Sequence, residues 1–406
     1  MPEAVIVATA RSPIGRAVKG SLREMRPDDL AAQMVLAALG KVPEVDPRTV
    51  NDLMLGTAQP AGESGYNLGR AVSVLAGMDH LPGVTVNRYC SSSLQTTRMA
   101  LHAIKAGEGN IFISAGVETV SRFNTGMADE NPETHNAVFS DAESLTERRA
   151  GGNQDPWVDP RTTGALPDLY ITMGHTAENV AEYSGVSRRE QDEFGVRSHN
   201  RAEAAIEQGF FAREITPVTL PDGTVVSTDD CPRPGTTYDA VSKLKPAFRP
   251  NGTVTAANAC PLNDGAAALV IMSDAKAKEL GLTPLARIVS TGVSGLSPEI
   301  MGLGPVEATR RALDIAGMSI GDIDLAEINE AFAAQVIPSA RELGIDDDRL
   351  NINGGAIALG HPFGMTGARI ATTLMNSLEF HDKQFGLETM CVGGGQGMAM
   401  ILERLS

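Results

Sequence analysis

Asn87-Arg88-Tyr89-Cys90-Ser91-Ser92-Ser93-Leu94-Gln95 sets a thiol at the close of a strand-like run, immediately before a helical pattern. Leu94, Thr97, Leu101 and Ile104 then recur three and four residues apart with Gly107 just beyond, so a helix is predicted to begin at the serines. A strand is expected next, at 111–116. The same order surrounds a second thiol, in Cys391-Val392-Gly393-Gly394-Gly395-Gln396-Gly397: a helix over 366–378, a strand over 385–390 that Cys391 closes, and a glycine turn leading into 398–402. Farther out, 4–8 is answered by 286–290, the helical stretch 28–39 by 307–316, and 51–56 by 322–328. Strand, helix, strand, helix therefore recurs in both halves of the chain, and two similar α/β units are predicted. The strand that closes the first unit reads as 266–272, which leaves a long insertion between two strands of one unit. The expected division is 1–120 completed by 251–274, an inserted loop domain over 121–250 that covers the ligand, and 275–406. Within the insertion, Asp129-Glu130-Asn131-Pro132-Glu133 and Arg149-Ala150-Gly151-Gly152-Asn153 read as turns, and 176–183 and 188–208 as helices.

Composition agrees with an α/β enzyme of more than one unit. At 406 residues the chain exceeds the roughly 250–300 at which single cores stop growing. Its 42 glycines and 4% aromatic content suit closely layered helices and sheets built from small aliphatic side chains. A formal charge of −16 opposes nucleic acid and anionic membrane, which call for a basic footprint. The four cysteines, Cys90, Cys231, Cys260 and Cys391, form no Cys-x-x-Cys pair and no zinc spacing, so no metal is expected and a reducing compartment is. The amino terminus carries no basic leader, and no run nears the roughly 18–20 apolar residues of a membrane span. A soluble, cytoplasmic protein is expected.

Between the thiols lie Asn329-Glu330-Ala331-Phe332 and Gly360-His361-Pro362-Phe363-Gly364, which add an amide and an imidazole. Thiolates attack acyl carbonyls, but a free cysteine is mostly protonated at neutral pH and needs a lowered pKa or a base. At a helix start Cys90 would face unpaired N–H groups and the positive end of the dipole, worth roughly 0.3–2 kcal/mol. The plain alternative is a small buried hydrophobe. An imidazole such as His361 can take a proton and return it. As a polar residue in a Gly-Pro turn it would do nothing of the kind, the better reading for His80, His102, His135, His199 and His381. Gly393, Gly394 and Gly395 admit a close backbone approach. No Gly-x-Gly-x-x-Gly precedes a helix there, which disfavours a nucleotide site.

These four segments in this order resemble the thiolase family, and the likeness runs from Arg11-Ser12-Pro13-Ile14-Gly15 to Gly397-Met398-Ala399-Met400. It implies a five-layered αβαβα fold and a ping-pong acyl-CoA C-acyltransferase. Such an enzyme cleaves 3-oxoacyl-CoA with CoA, or condenses acyl-CoA with acetyl-CoA, in a setting such as fatty-acid β-oxidation. By the resemblance Cys90 is the nucleophile, His361 accepts its proton, and Cys391 exchanges the α-proton of acetyl-CoA. His361 with a water held by Asn329 would form one oxyanion hole, and the N–H groups of Cys90 and Gly393 the other. Met173 would line the acyl pocket, with Thr172 where short-chain members often carry histidine, which leaves room for a longer or branched chain. Cys260 stands where serine usually meets the pantetheine arm, and Ser93 where glycine is common. Phe332 joins Met173 and Cys260 as a candidate substrate contact. Coenzyme A is a polyanion, so a local basic patch is needed, for which Arg188, Arg189, Arg197, Arg201, Lys243, Lys245 and Arg249 are candidates; Arg197 and Lys243 are taken for CoA. The family's members are homodimers or homotetramers, with coenzyme A and acyl-CoA as substrates and no permanently bound cofactor. Two rivals remain. A decarboxylating ketoacyl synthase would use two histidines where one is visible, and an acyl-CoA or lipid carrier on a retired scaffold would need none of these groups.

Overall fold

The computed structural model describes residues 2–125, 132–152 and 156–406. Its first unit comprises β1 (Ala4–Arg11), α1 (Pro27–Gly40), β2 (Asp52–Gly56), α2 (Leu68–Leu75), β3 (Gly83–Val86), α3 (Ser92–Ala106) and β4 (Ile111–Thr119). After β4 come α4 (Ser140–Ala150), α5 (Met173–Tyr183) and α6 (Arg188–Glu207), and then β5 (Asn263–Ser273), which returns to pair with β4 and β1. The second unit follows as β6 (Ala286–Gly295), α7 (Gly304–Ala316), β7 (Leu325–Ile328), α8 (Ala333–Leu343), α9 (Thr366–Phe380), β8 (Phe385–Val392) and β9 (Gln396–Arg404). Local chemistry accounts for several boundaries. Pro27 opens α1 with Asp28 and Asp29 in its first turn, Ser187 and Glu190 close a capping box on α6, and Gly107 ends α3 at a φ of +78°.

The strands run β7-β8-β9-β6-β1-β5-β4-β2-β3 in one continuous sheet, to which the short Gly15–Arg16 strand adds by pairing with β5. The order from β1 to β3 repeats in the order from β6 to β7, and a parallel bridge from Ala326 to Leu350 stands where β3 stands in the first unit. Between the units the ladder is short, with only Val5 to Arg287 and Ile6 to Ala286 in register. Alternation of side chains then builds the layers. Val5, Val7, Leu53, Leu55, Ile113 and Val270 pack outward with α1, whereas Ala4, Ile6, Met54, Phe112, Leu269 and Ile271 pack inward on α3 and α9. On the second unit Leu387, Ala399 and Ile401 face α7 and α8, and Met390, Met398, Met400 and Leu402 face the same central helices. Helix, sheet, helix, sheet, helix is the result.

Some readings need correction. Arg149 and Ala150 end helix α4 rather than forming a turn, and Asp129, Glu130, Asn131 and Asn153 lie outside the described residues. The apolar run before Cys90 closes at Val86, and Cys90 itself sits in a 3-10 turn, Tyr89–Ser91, that feeds α3. Helices α2 and α8 were not predicted. Their apolar stripes are short, and Pro338 lies inside α8, a residue that argues against a helix interior.

The central pair α3 and α9 meets at Gly367, where an added Cβ would stand 2.3 Å from the Leu94 nitrogen and 2.7 Å from its Cβ. Backbone cannot yield as a flexible side chain can. Gly367→Ala is therefore expected to cost about 3 kcal/mol, the upper end of overpacking penalties, read as a lowered urea midpoint. Gly40→Ala, where the new methyl meets nothing within 4 Å, should leave the midpoint in place or raise it slightly.

Candidate active site

Cys90 is brought to the second unit by its own turn, which packs against both β8 and the 363–365 turn that precedes α9. Tyr89 takes a left-handed φ of +43° there, its N–H held by Asn87 Oδ1 at 2.8 Å. The Gly393 N–H hydrogen-bonds the Cys90 sulfur, and a Cβ at Gly393 would press on the Tyr89 ring at 3.2 Å. Across this seam Ala368 N–H donates to Ser93 Oγ at 2.9 Å. Glycine at position 93 would lose that bond.

Burial sets the charge state of the thiol. Cys90 keeps some exposure, but the low-polarity surroundings of its sulfur push its pKa up to about 12, offset in part by the Gly393 and Cys90 N–H groups and reinforced by Glu118. The thiolate expected from the helix start is overruled by desolvation. Cys391, fully buried as the next-to-last residue of β8, is pushed well up by burial first and then by Cys90 and Cys260. All three sulfurs thus lie within electrostatic reach of one another.

His361 is buried, and its environment prescribes its tautomer. Thr366 Oγ1 gives its only proton to Pro362 O at 2.7 Å, so His361 Nδ1, 2.6 Å from the same oxygen, must be the donor. Nε2 is left as a lone pair, which accepts from Asn329 Nδ2 at 3.2 Å. Burial, and then the charge of Arg369, pull the imidazole pKa down to about 3. It is a neutral proton acceptor at any working pH. Its backbone is fixed as firmly: the His361 N–H donates to Asn263 Oδ1 at 2.9 Å, and Gly360 at φ +112° leaves room for the Asn263 amide that a Cβ would strike at 2.7 Å. Glu118 ties the same loop to the first unit by accepting from Gly364 N and from Thr57, Ala58 and Gln59.

Asn329, 2% exposed, hangs from Thr389 of β8 through its N–H at 2.9 Å, and its Oδ1 has no hydrogen-bond partner. Met173, Phe332, Ala259 and Cys391 share one apolar cluster, and the Phe332 ring meets Phe248 edge-on at 6.2 Å. Cys260 joins them through its N–H to Ala331 O at 3.0 Å. Two basic candidates are placed otherwise. Arg197 is ion-paired with Asp347 and stacked on Phe194, in a groove between α6 and α8 whose lining includes none of the groups above. It is not brought to the site. Lys243 is exposed, in the 241–244 stretch whose carbonyls Arg188 holds, and Arg188, Arg189, Arg201 and Arg249 are engaged with Asp192, Glu193, Leu350 O and Asn179. Thr366, Asn263 and Glu118 escaped the sequence reading. Only a hydroxyl one turn after Gly-His-Pro hinted at the first, since nothing in a linear pattern says which imidazole nitrogen it will meet. No group of three His, Cys, Asp or Glu among the described residues is placed to hold a metal ion. Nor is any helix among them long and apolar enough to cross a membrane.

Comparison with known proteins adds an independent finding. The family model described as the thiolase N-terminal domain matches residues 4–275, and that of the thiolase C-terminal domain matches 282–404. A 3-ketoacyl-CoA thiolase of Bacillus subtilis is 43% identical over 416 aligned residues, covering 99% of this chain and all of the relative. One of Photobacterium profundum is 43% identical over 414, with both chains covered in full. Among solved structures, the Bacillus anthracis acetyl-CoA acetyltransferase superposes with a TM-score of 0.87 at 38% identity, covering 100% of this chain and 99% of that one.

Proposed function

Because the chain belongs to the thiolase family, we propose that it is an acyl-CoA C-acyltransferase that cleaves 3-oxoacyl-CoA with CoA, and runs the reverse condensation, through an acyl group carried on Cys90. The observation that carries the residue roles is the Gly393 N–H on the Cys90 sulfur, with Cys391 in the same strand end and a neutral imidazole close by.

In the thiolytic direction the Cys90 proton passes to His361 Nε2 as the sulfur attacks the 3-oxo carbon. A thiol near 12 and an imidazole near 3 do not form a stable ion pair, so transfer accompanies attack rather than preceding it. The oxyanion that develops is met by the Cys90 and Gly393 N–H groups. When the bond between C2 and C3 breaks, Cys391 gives its proton to the departing acetyl-CoA carbanion. His361, now carrying a proton on Nε2, stabilises the enolate oxygen together with Asn329, whose unpaired Oδ1 offers an acceptor for a water. CoA then attacks the thioester on Cys90, its thiol proton passing to the Cys391 thiolate while His361 returns its own proton to the departing Cys90 sulfur, and acyl-CoA leaves with both cysteines restored. Met173 and Phe332 form the apolar wall for the acyl chain, and Cys260 faces the pantetheine arm. The reading extends to self-association as a homodimer or homotetramer, supported by β3, which ends the sheet with one side of its ladder unpaired among the described residues.

Acetoacetyl-CoA and CoA together should lose the enolate absorbance at a rate proportional to enzyme. Binding without any turnover would leave only the carrier reading.

A further inference from the structure

The turn that carries Gly393 has little shape of its own. Gly393, Gly394 and Gly395 join β8 to β9, and the second and third take left-handed φ values of +74° and +80°. Three successive glycines reach many backbone states at similar cost, so an N–H that must point at one atom has to be aimed from outside the turn. The third glycine is gripped by its surroundings: Leu296 N–H donates to Gly395 O at 2.8 Å, and a Cβ at Gly395 would stand 2.3 Å from Leu296 O. The first is held through its carbonyl, which accepts from Gln396 Nε2 at 3.3 Å.

Gln396 is itself well rooted. It opens β9 in register with Val392 of β8 and Gly295 of β6, so its backbone belongs to the sheet rather than to the turn. Its Oε1 accepts from Arg88 Nη1 at 2.9 Å, and Arg88 belongs to the first unit, two residues before Cys90. Gln396 thus lies between a guanidinium that can only donate and a carbonyl that can only accept, which leaves its amide a single orientation. That contact is also what holds Arg88, whose buried Nε has no hydrogen-bond partner among the described residues.

We propose that Gln396 is a positioning residue for the Gly393 N–H, and that Arg88 keeps the Gln396 amide turned toward the glycine: two hydrogen bonds run from the stretch that carries the nucleophile to the turn that carries its oxyanion donor. Only the φ and ψ rotations of Gly393 separate its N–H from its carbonyl, so pinning the oxygen narrows where the hydrogen points. Both half-reactions of the proposed acyl transfer pass through a tetrahedral oxyanion at Cys90, and a misaimed donor slows both alike.

The inference rests on the acyl group being carried on Cys90, and the test separates the two. Gln396→Glu replaces the amide nitrogen by oxygen, keeps a partner for Arg88 and sets an acceptor against Gly393 O. Its kcat and kcat/KM for acetoacetyl-CoA with CoA should fall together by about 10–100-fold, short of the roughly 10²–10³-fold that deleting a donor costs, with the urea midpoint unchanged. Gln396→Met, which has the reach and neither polar group, should match it in rate. Arg88→Met should lose about fivefold, the worth of one ordinary hydrogen bond, and Arg88→Lys, which restores a donor, should regain most of that. A role in packing alone would lower the midpoint and leave the rate per folded chain intact. Parental rates in Gln396→Glu, a change confined to KM, or an Arg88→Lys no better than Arg88→Met overturns the proposal. If Gln396→Glu does not fold, Gln396→Met and the two Arg88 variants decide by the same criteria. Mass spectrometry of the intact chain after acetoacetyl-CoA reports on the premise. No acyl adduct on Cys90 in the parent defeats that reading and this inference with it, whereas an adduct in the parent beside full rates in Gln396→Glu defeats this inference alone.

Discussion

Cys90→Ala is expected to abolish the acyl-enzyme and to lower kcat/KM on the order of 10⁴-fold or more, while the chain keeps its fold. The size of the effect follows from geometry. The sulfur receives the Gly393 N–H, and the tetrahedral oxyanion forms only if a covalent bond grows at that atom. Cys391 cannot stand in, being fully buried at the strand end and lacking the helix start that supplies N–H donors. Cys260 is the nearest spare thiol, but burial holds it protonated, and its N–H is already committed to Ala331 O. Incubation with acyl-CoA followed by mass spectrometry of the intact chain should show one acyl adduct in the parent and none in Cys90→Ala. An adduct retained on the variant would refute the nucleophile assignment.

His361→Asn should lower kcat/KM by about 10²–10⁴-fold and slow alkylation of Cys90 by iodoacetamide. A thiol pushed to about 12 reacts only as fast as a base can relieve it of its proton, and in the proposed reaction that base is the neutral imidazole of His361, its Nδ1 proton held by Thr366. The asparagine amide nitrogen can still donate to Thr366 Oγ1, so orientation survives and basicity does not. The same substitution carries a pH signature of stability. His361 titrates near 3 in the folded chain against an ordinary 6.5, so the unfolded state binds the proton first. Its contribution to stability is whole above pH 6.5 and is lost as pH falls toward 3. His361→Asn should therefore lose less of its urea midpoint between pH 7 and pH 5 than the parent does. An equal loss would show that His361 is not held neutral.

Much of the scaffold was legible because its signals are short-range. Period-two apolar runs at 4–8 and 111–116, helical spacing after Cys90, and the glycine past each helix end are properties of a dozen residues at a time, and the structure places strands and helices there within a few residues. Helix α8 was missed because Pro338 breaks the helical rule that its packing overrides. Arg197 looked free for a phosphate in the linear sequence, yet the partner that engages it, Asp347, lies 150 residues along the chain.

What the amino-acid order determined by itself was the inventory and its local setting: two thiols, one imidazole and one amide, each at a turn or element end, on a duplicated α/β pattern. Only the tertiary structure decided how those groups are charged and aimed. Desolvation depends on every atom packed around a group, and it overruled the helix start at Cys90; the imidazole tautomer depends on a hydroxyl already committed to Pro362 O. His361 is held neutral by its burial first and then by the Arg369 guanidinium of α9, neither of which is marked in the residues around it. Such quantities are sums over space rather than over sequence, and chain order alone does not contain them until the chain has folded.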